Sequence, residues 1–423
     1  MMKRKMILMW VIGILFVNLI PTIALSQEEL RKEGRYWVAD IVKEFSVNKG
    51  GKLIVEEVRG DVIITTWDKN QVKIHEIRKM DVYTKGEAEA IFKDAKSIYR
   101  KEDNTVRVGA EGSYRSYMSS TFNINLPTEF NIAIGTKGGD ISVTELKGTA
   151  ELSTSGGDIR LVRVDGRVNA NTSGGDVLVE QNTQAVTVKT SGGDVDIIDV
   201  EGEVDAKTSG GDISIRNNKA RVSAHTSGGD IELQNVGAEV DVRTSGGDID
   251  VDGSAGDISV STSGGDIELR NVKGVAVAKT SGGDIEAMSI MKGVQAKTSG
   301  GDILLKDIQG FIEGATSGGN VEAEMTLKDF SKDHHVELKS SGGDLTLWIP
   351  EKLPATINAE IQLTGSTWQD YDIYSDFDLT KEKEDQERGR GGEYIRSQGK
   401  INGGGDLINL STTNGNITIK KLR

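Results

Sequence analysis

The residues of this chain whose spacing could do chemistry are carboxylates. An Asp closes the motif "TSGGD" or a near copy of it, and returns at Asp140, Asp158, Asp176, Asp194, Asp212, Asp230, Asp248, Asp266, Asp284 and Asp302 in steps of 18 residues. Asn320 takes the next place; the period then stretches by six residues, and "SSGGD" resumes at Asp344. Paired acids do general acid-base work only when their environments push their pKa values apart. Equivalent acids in equivalent repeats offer no such asymmetry, so no catalytic and no cofactor-binding residue emerges from the row.

Two other uses of the row stay open. Oxygen ligands from Asp158, Asp176, Asp194, Asp212, Asp230, Asp248, Asp266, Asp284 and Asp302 could hold a ladder of cations, calcium being the hard ion that such ligands suit. Alternatively, each Asp accepts a backbone N–H at a tight corner, with the glycines supplying unusual dihedrals. Identical carboxylates one rung apart repel by ~1 kcal/mol per neighbouring pair even at water-like dielectric. Asn320 keeps the period without a charge, which favours the hydrogen-bonded corner. Of the four histidines, His334 and His335 lie together in "MTLKDFSKDHH" and read as part of a solvated loop. Two histidines with no further ligand make a poor zinc site. The chain has no Cys, so thiol catalysis and disulfides are excluded, and no Ser-His-Asp order stands out.

What positions the row is a repeat of two short strands. With the Asp as place zero, place one is Ile or Val throughout (Ile141, Val177, Val195) and place three is mostly Val, Leu or Ile (Leu161, Val179, Ile197). Places ten and twelve are again small or β-branched, as in Val168 with Ala170 and Val204 with Ala206. Such alternation marks strands, here joined near place eight by a frequent Gly or Ala (Gly148, Gly166, Gly202, Gly274) and closed by Gly-Gly. One coil cannot bury its apolar side alone, but stacked coils bury a continuous narrow core. The fold class is therefore all-β, a parallel β-solenoid with 18-residue two-strand coils and one short capping helix. A hexapeptide helix would need aliphatic residues at places seven and thirteen, which are polar (Asp165 and Asn171, Glu201 and Lys207). The calcium-binding nonapeptide roll needs its glycine-rich loop in each half, and the complete motif occurs once per 18 residues. Place thirteen carries a basic column (Lys189, Lys207, His225, Arg243, Lys279, Lys297), with acids such as Asp205 and Asp241 beside it at place eleven.

Composition bounds the function. With 52 Gly, 4 Pro and 5% aromatics in 423 residues, the chain suits a thin repetitive β structure rather than an enzyme core built on large side chains. A net charge of −14 argues against nucleic acid and makes acidic polymers poor partners. Residues 1–26 read as a cleaved signal peptide, with Lys3, Arg4 and Lys5 before an uncharged run from Met6 to Ile20 and a small-x-small site at Ala24 to Ser26. No stable membrane span is expected after its removal. Residues 27–135 form an N-terminal β cap with one helix at about 86–99, N-capped by Thr84. Residues 136–349 form the regular solenoid. Residues 350–423 form C-terminal coils and a cap with a charged loop at about 378–400. Gly60-Asp61-Val62 forms a corner that is out of phase with the 18-residue period. A lone amphipathic helix is expected to cover an open end or edge, and the aromatics Tyr36, Trp37, Trp67, Trp348 and Trp368 to fill cap cores.

The stretches "GKLIVEEVRGDVIITTWD", "SGGDI", "LTLWIPEKLPATINAEI" and "GGGDLINLSTTNGNITIKK" together resemble the bacterial putative-adhesin domain family, of the domain of unknown function 4097 type. The resemblance covers nearly all of the mature chain and implies an exported β-solenoid without established catalytic residues. The expected function is a non-enzymatic β-solenoid of the cell envelope or surface, a rigid scaffold or adhesin-like binding rod. Its partner would be an envelope protein or glycan, and its place the periplasm, the outer membrane or the cell surface. The alternatives are a calcium-binding β-roll-like structural protein and a carbohydrate-active β-helix enzyme. The last would need a non-repeating acidic and basic cluster, which the region 140–344 does not offer.

Overall fold

A computed structural model describes residues 30–111, 117–364, 370–384 and 393–422. The signal peptide expected at residues 1–26 lies outside the described residues, as does Trp368. Two sheets of 19 strands each run the length of the molecule, parallel through the regular coils and antiparallel in part at their ends. At about 4.8 Å per strand, they make a rod roughly 85 Å long.

Each regular coil contributes one strand to each sheet, in step with the next except for a register shift between Leu305 and Ile308. Ile159, Leu161 and Val164 pair with Ile141, Val143 and Leu146 in the first sheet, and Val168 and Ala170 with Ala150 and Leu152 in the second. Places one, three, ten and twelve point inward, as their alternation requires. Place six is a further inward column that simple alternation hides: Leu146, Val164, Val200, Val236, Val272, Ile290 and Ile308 are all buried. The phase shifts because place five is left-handed in coil after coil, with φ of 62° at Glu145, 56° at Arg163, 58° at Gln181, 57° at Asn217 and 59° at Asn271. One αL residue skips a step of the pleat and returns the next side chain to the core. Where place six is polar, the group is satisfied: Asn182 Nδ2 donates to Val164 O (3.1 Å) and Gly166 O (2.9 Å), and its Oδ1 accepts from Gln184 N–H (2.9 Å).

Volumes within a coil compensate. Leu161 shares its coil with Ala170, Ile197 with Ala206, Leu269 with Ala278, and Ala323 with Leu338, all of them buried. Leu305 shares its coil with Gly314, where a Cβ would stand 3.8 Å from the Leu305 side chain and 3.2 Å from that of Leu338. Large against small keeps a narrow core evenly filled.

At both ends the order of strands in space departs from the order in the chain. Gly51–Val58 and Gly60–Trp67 stack directly on the regular array, through Phe130–Thr136 and Ile141–Lys147. Thr105–Glu111 and Met118–Pro127 lie outside them. At the other end, Asp406–Thr413 and Ile417–Leu422 slot between the coil of Val336–Lys339 and Leu345–Pro350 on one side and Ala355–Leu363 and Ile373–Ser375 on the other. The Gly60-Asp61-Val62 corner, out of phase along the chain, is thus in phase in space, with Val62 registered on Ile141.

The helix α1 spans Lys85–Asp94, shorter than the expected 86–99, because Lys96–Glu102 pairs as a strand with Thr105–Glu111. Thr84 caps it in a capping box with Glu87, whose carboxyl is held below the usual range by the Thr84 N–H. The helix packs on the terminal strands of the first sheet. Ala88, Ile91 and Ala95 pack on Met80 and Met118 in a small separate core with Leu30, Trp37 and Phe92. The outermost strands are short or charged: Arg31–Glu33 in the first sheet, Lys96–Glu102 and Thr380–Glu384 in the second. Charged edges discourage pairing with another chain. The expected charged loop at 378–400 is largely a hairpin of Thr380–Glu384 with Glu393–Ile401.

Candidate functional site

The repeated corner uses its Asp between coils rather than within a turn. The N–H of each Asp donates to Oδ1 of the Asp one coil earlier, at 2.7–2.9 Å from Asp158 to Asp302. The chain of bonds starts at Asp61 with the Asp140 N–H (3.1 Å). It runs on through Asn320, Asp344 and Asn416 to the N–H of Asp372. Asn320 and Asn416 carry it as well as Asp does, so the acceptor oxygen is what the place requires. Among the described residues, no group of three or more His, Asp or Glu is arranged to hold a metal ion.

The residues around the Asp complete the corner. The Thr four places earlier is buried in every coil, and its hydroxyl donates to the carbonyl of the preceding coil's second glycine, as in Thr172 to Gly157 (2.9 Å) and Thr208 to Gly193 (2.9 Å). Thr412 does the same to Gly343 from the C-terminal strands (2.6 Å). The glycines do not supply unusual dihedrals, because the repeated Gly-Gly pairs from Gly156 onward take no positive φ. The second of each pair is needed for close approach: a Cβ on Gly193 would sit 2.1 Å from Gly175 O, whereas one on Gly192 would meet nothing nearer than 3.6 Å.

With the corner accounted for, the surfaces free to meet a partner are the outward columns. On the first sheet the exposed Asp row runs beside place two, giving double acids at Asp230 and Glu232, Asp248 and Asp250, Asp266 and Glu268, and Asp284 and Glu286. Arg270 pairs there with Glu268 and reaches Asp250 at 3.5 Å. On the second sheet, the basic column of place thirteen is in continuous register from Lys189 through Lys207, His225 and Arg243. Lys207 pairs with Asp205 (3.1 Å) and Arg243 with Asp241 (3.2 Å). Exposed pairs of this kind add little stability. Burial holds the His225 imidazole below its ordinary pKa, assisted by Lys207 and Arg243 and opposed by Asp241 and Asp205.

The two adjacent histidines are not a solvated loop. His334 is 4% exposed, with its ring nitrogens 2.7 Å from Lys332 O and 3.0 Å from Pro354 O, and its N–H donates to Asp406 (3.0 Å). It ties the six-residue insertion to the inserted C-terminal strands. His335 stacks flat on Phe311 at 5.2 Å between ring centres and lies between Asp333 (2.7 Å) and Glu313 (3.3 Å). Burial lowers its pKa, but the two carboxylates outweigh that and leave it raised.

One buried charge cluster lies in the N-terminal cap. Arg78, 1% exposed, and Glu76, fully buried, form a bridge at 2.8 Å. Tyr99 and Ser120 also donate to Glu76, and Arg78 donates to Ala95 O and Ser97. Every polar atom has work in joining α1 to both sheets, and burial next to Glu76 pushes the Tyr99 hydroxyl up. Of the aromatics expected in cap cores, Trp37 packs there. Trp67 and Trp348 are instead half-buried on outer faces beneath Lys69 and Lys420.

The family model described as Toastrack DUF4097 matches residues 52–252 and 234–420. Among solved structures, a putative adhesin from Bacteroides fragilis is 18% identical over 52% of this chain and 96% of its own, with a TM-score of 0.34. A putative cell adhesion protein from Clostridium sporogenes is 9% identical over 90% of this chain and 99% of its own, with a TM-score of 0.16. Comparison with curated proteins finds no match.

Proposed function

The chain belongs to the Toastrack DUF4097 family, and from that membership and the geometry of its coils we propose an exported, non-enzymatic rod of the cell envelope or surface. It works as a rigid scaffold or adhesin-like binder whose sides meet an envelope protein or glycan. The carrying observation is the equivalence of the Asp row: the same acceptor bond recurs in coil after coil. Acid-base catalysis needs two carboxylates in different environments, and this row supplies one environment many times over. What varies from coil to coil is the outward columns, and variable side chains on a fixed scaffold are the usual means of recognition.

The signal-like residues 1–26 support export to the periplasm, the outer membrane or the cell surface. Fractionation of cells expressing the full chain, followed by pull-down from envelope extract, tests the proposal. Recovery in an envelope or surface fraction with a specific partner is expected, and recovery in the cytoplasm would overturn it. Incubation with uronate and neutral polysaccharides should release no new reducing ends or unsaturated products. Depolymerisation of either class would make the chain an enzyme.

A further inference from the structure

We propose that the basic column of the second sheet is a track for a linear acidic glycan, with its strongest contact at the end formed by Lys279, Lys297 and Lys339. The proposal rests on the binding-rod reading and names the partner's chemistry and its place. Net charge alone makes a polyanion a poor partner for this chain, but like charges are gathered into columns. The Asp row and its companion acids face outward from the first sheet, while place thirteen of the second sheet carries Lys189, Lys207, His225, Arg243, Lys279, Lys297 and Lys339. The acids of the first sheet are separated from the column by the core, with the two sheets about 10 Å apart, whereas a bound chain lies against the column itself.

The two halves of the column differ. In the upper half, Lys207 and Arg243 are neutralised by acids of their own coils. In the lower half, Lys279, Lys297, Ala315 and Lys339 follow one another in register, and the three lysines are exposed and take no ion pair among the described residues. The neighbouring column there is Val277, Gln295, Glu313 and Glu337. Of its two acids, Glu313 accepts from the Gln295 amide (2.6 Å) and lies 3.3 Å from the His335 ring nitrogen. Glu337 stays exposed beside Lys339.

Ala315 leaves a gap in the row of long side chains. It opens a hollow of about 270 Å³ lined by Lys279, Lys297, Lys339, Gln295, Glu313 and Glu337, among others. An anionic group seated in the gap has ammonium groups above and below it. Lys279 and Lys297 stand one strand spacing apart, about 4.8 Å, and Lys339 two spacings further on, which suits a polymer whose charge repeats along an extended chain. A linear polymer with an anion on every unit can follow such a line over its whole length, and an acidic peptide chain is the alternative that polyglutamate tests.

Calorimetric titration of the full chain with polygalacturonate, which bears one carboxylate per sugar, tests the proposal against its fully methyl-esterified neutral form, polyphosphate and polyglutamate. Binding of polygalacturonate, none of the neutral form, and loss of binding in 1 M salt are expected, because the Debye length there is about 3 Å. The exposed triple substitution Lys279→Gln/Lys297→Gln/Lys339→Gln should weaken binding about a hundredfold, while Lys207→Gln/Arg243→Gln weakens it only a few-fold. Unchanged thermal melting would show that both variants fold. Equal affinity of the triple variant and the parent would overturn the site. Preference for polyphosphate or polyglutamate over polygalacturonate would overturn the glycan assignment. Failure of every polyanion to bind would overturn the track while leaving the rod with its pulled-down partner intact.

Discussion

At the level of single residues, the Asp row was legible in the sequence as a hydrogen-bonded corner, and the substitution at Asn320 was the informative position. The direction of the bond was not legible, because an acceptor serving its own turn and one serving the next coil leave the same residue at the same spacing. Since Oδ1 of each Asp is occupied by a backbone N–H, Asp212→Asn should keep the bond and change stability by less than about 0.5 kcal/mol. Asp212→Ala leaves the Asp230 N–H without its acceptor and should cost about 1 kcal/mol in denaturant melts. Calcium should not move the melting temperature, and a shift reversed by chelator would restore the cation reading. The glycine pair separates just as sharply. Gly192→Ala has room, whereas Gly193→Ala drives a Cβ into Gly175 O and should cost about 2–4 kcal/mol. Equal melting of these two variants would refute the close-approach account. His335 gives a pH dependence of definite sign. Its folded pKa is raised above the unfolded value of 6.5, so its stabilising contribution is present in full below pH 6.5 and lost as pH rises through the folded pKa. His335→Asn should therefore lower the melting temperature more at pH 5.5 than at pH 9, and an equal loss at both would remove the Asp333 and Glu313 contacts from the account.

At the level of elements, strand alternation located four of the inward columns, and the fifth, at place six, escaped it. The reason is physical: a left-handed residue at place five breaks the two-residue period, and Glu145, Arg163 and Gln181 carry none of the Gly or Asn that advertises such a conformation. The end of α1 was hidden for a related reason, since Lys96–Glu102 continues the helical spacing of apolar residues although tertiary pairing makes it a strand. Core volume is also set at this level. Ile197 and Ala206 fill one coil between them, both fully buried, so Ala206→Leu should overpack it and cost about 1–3 kcal/mol. Adding Ile197→Ala to that variant should recover most of the loss, as a double-mutant cycle would read. Additive losses would mean that the two sheets do not compensate within a coil.

At the level of the whole molecule, the period announced a solenoid, but the rearranged order of strands at its ends could not be read from spacing, because the residues brought together are far apart in the chain. Gly60 and Asp61 meet Gly139 and Asp140, and Asn416 meets Asp344, each by the same corner contacts that the regular coils make with near neighbours. This arrangement divides the molecule into parts with different tolerance. Inside the array each coil touches only the next, so stability is close to a sum of like terms. Deleting residues 195–212, one complete period, brings Asp194 in front of Ile213 in the correct phase and should yield a rod one coil shorter that melts as cooperatively as the parent. The ends obey a different rule. Removing residues 403–423 takes away the strand pair that lies between two other coils, leaving Leu338, Leu347 and Ile357 without the neighbours that bury them. Hydrogen exchange should then show lost protection from about residue 336 to 401, with Asp158 to Asp302 still protected. Unfolding on deletion of the internal coil, or full protection after loss of the C-terminal pair, would show that the strand order does not govern the stability of the rod.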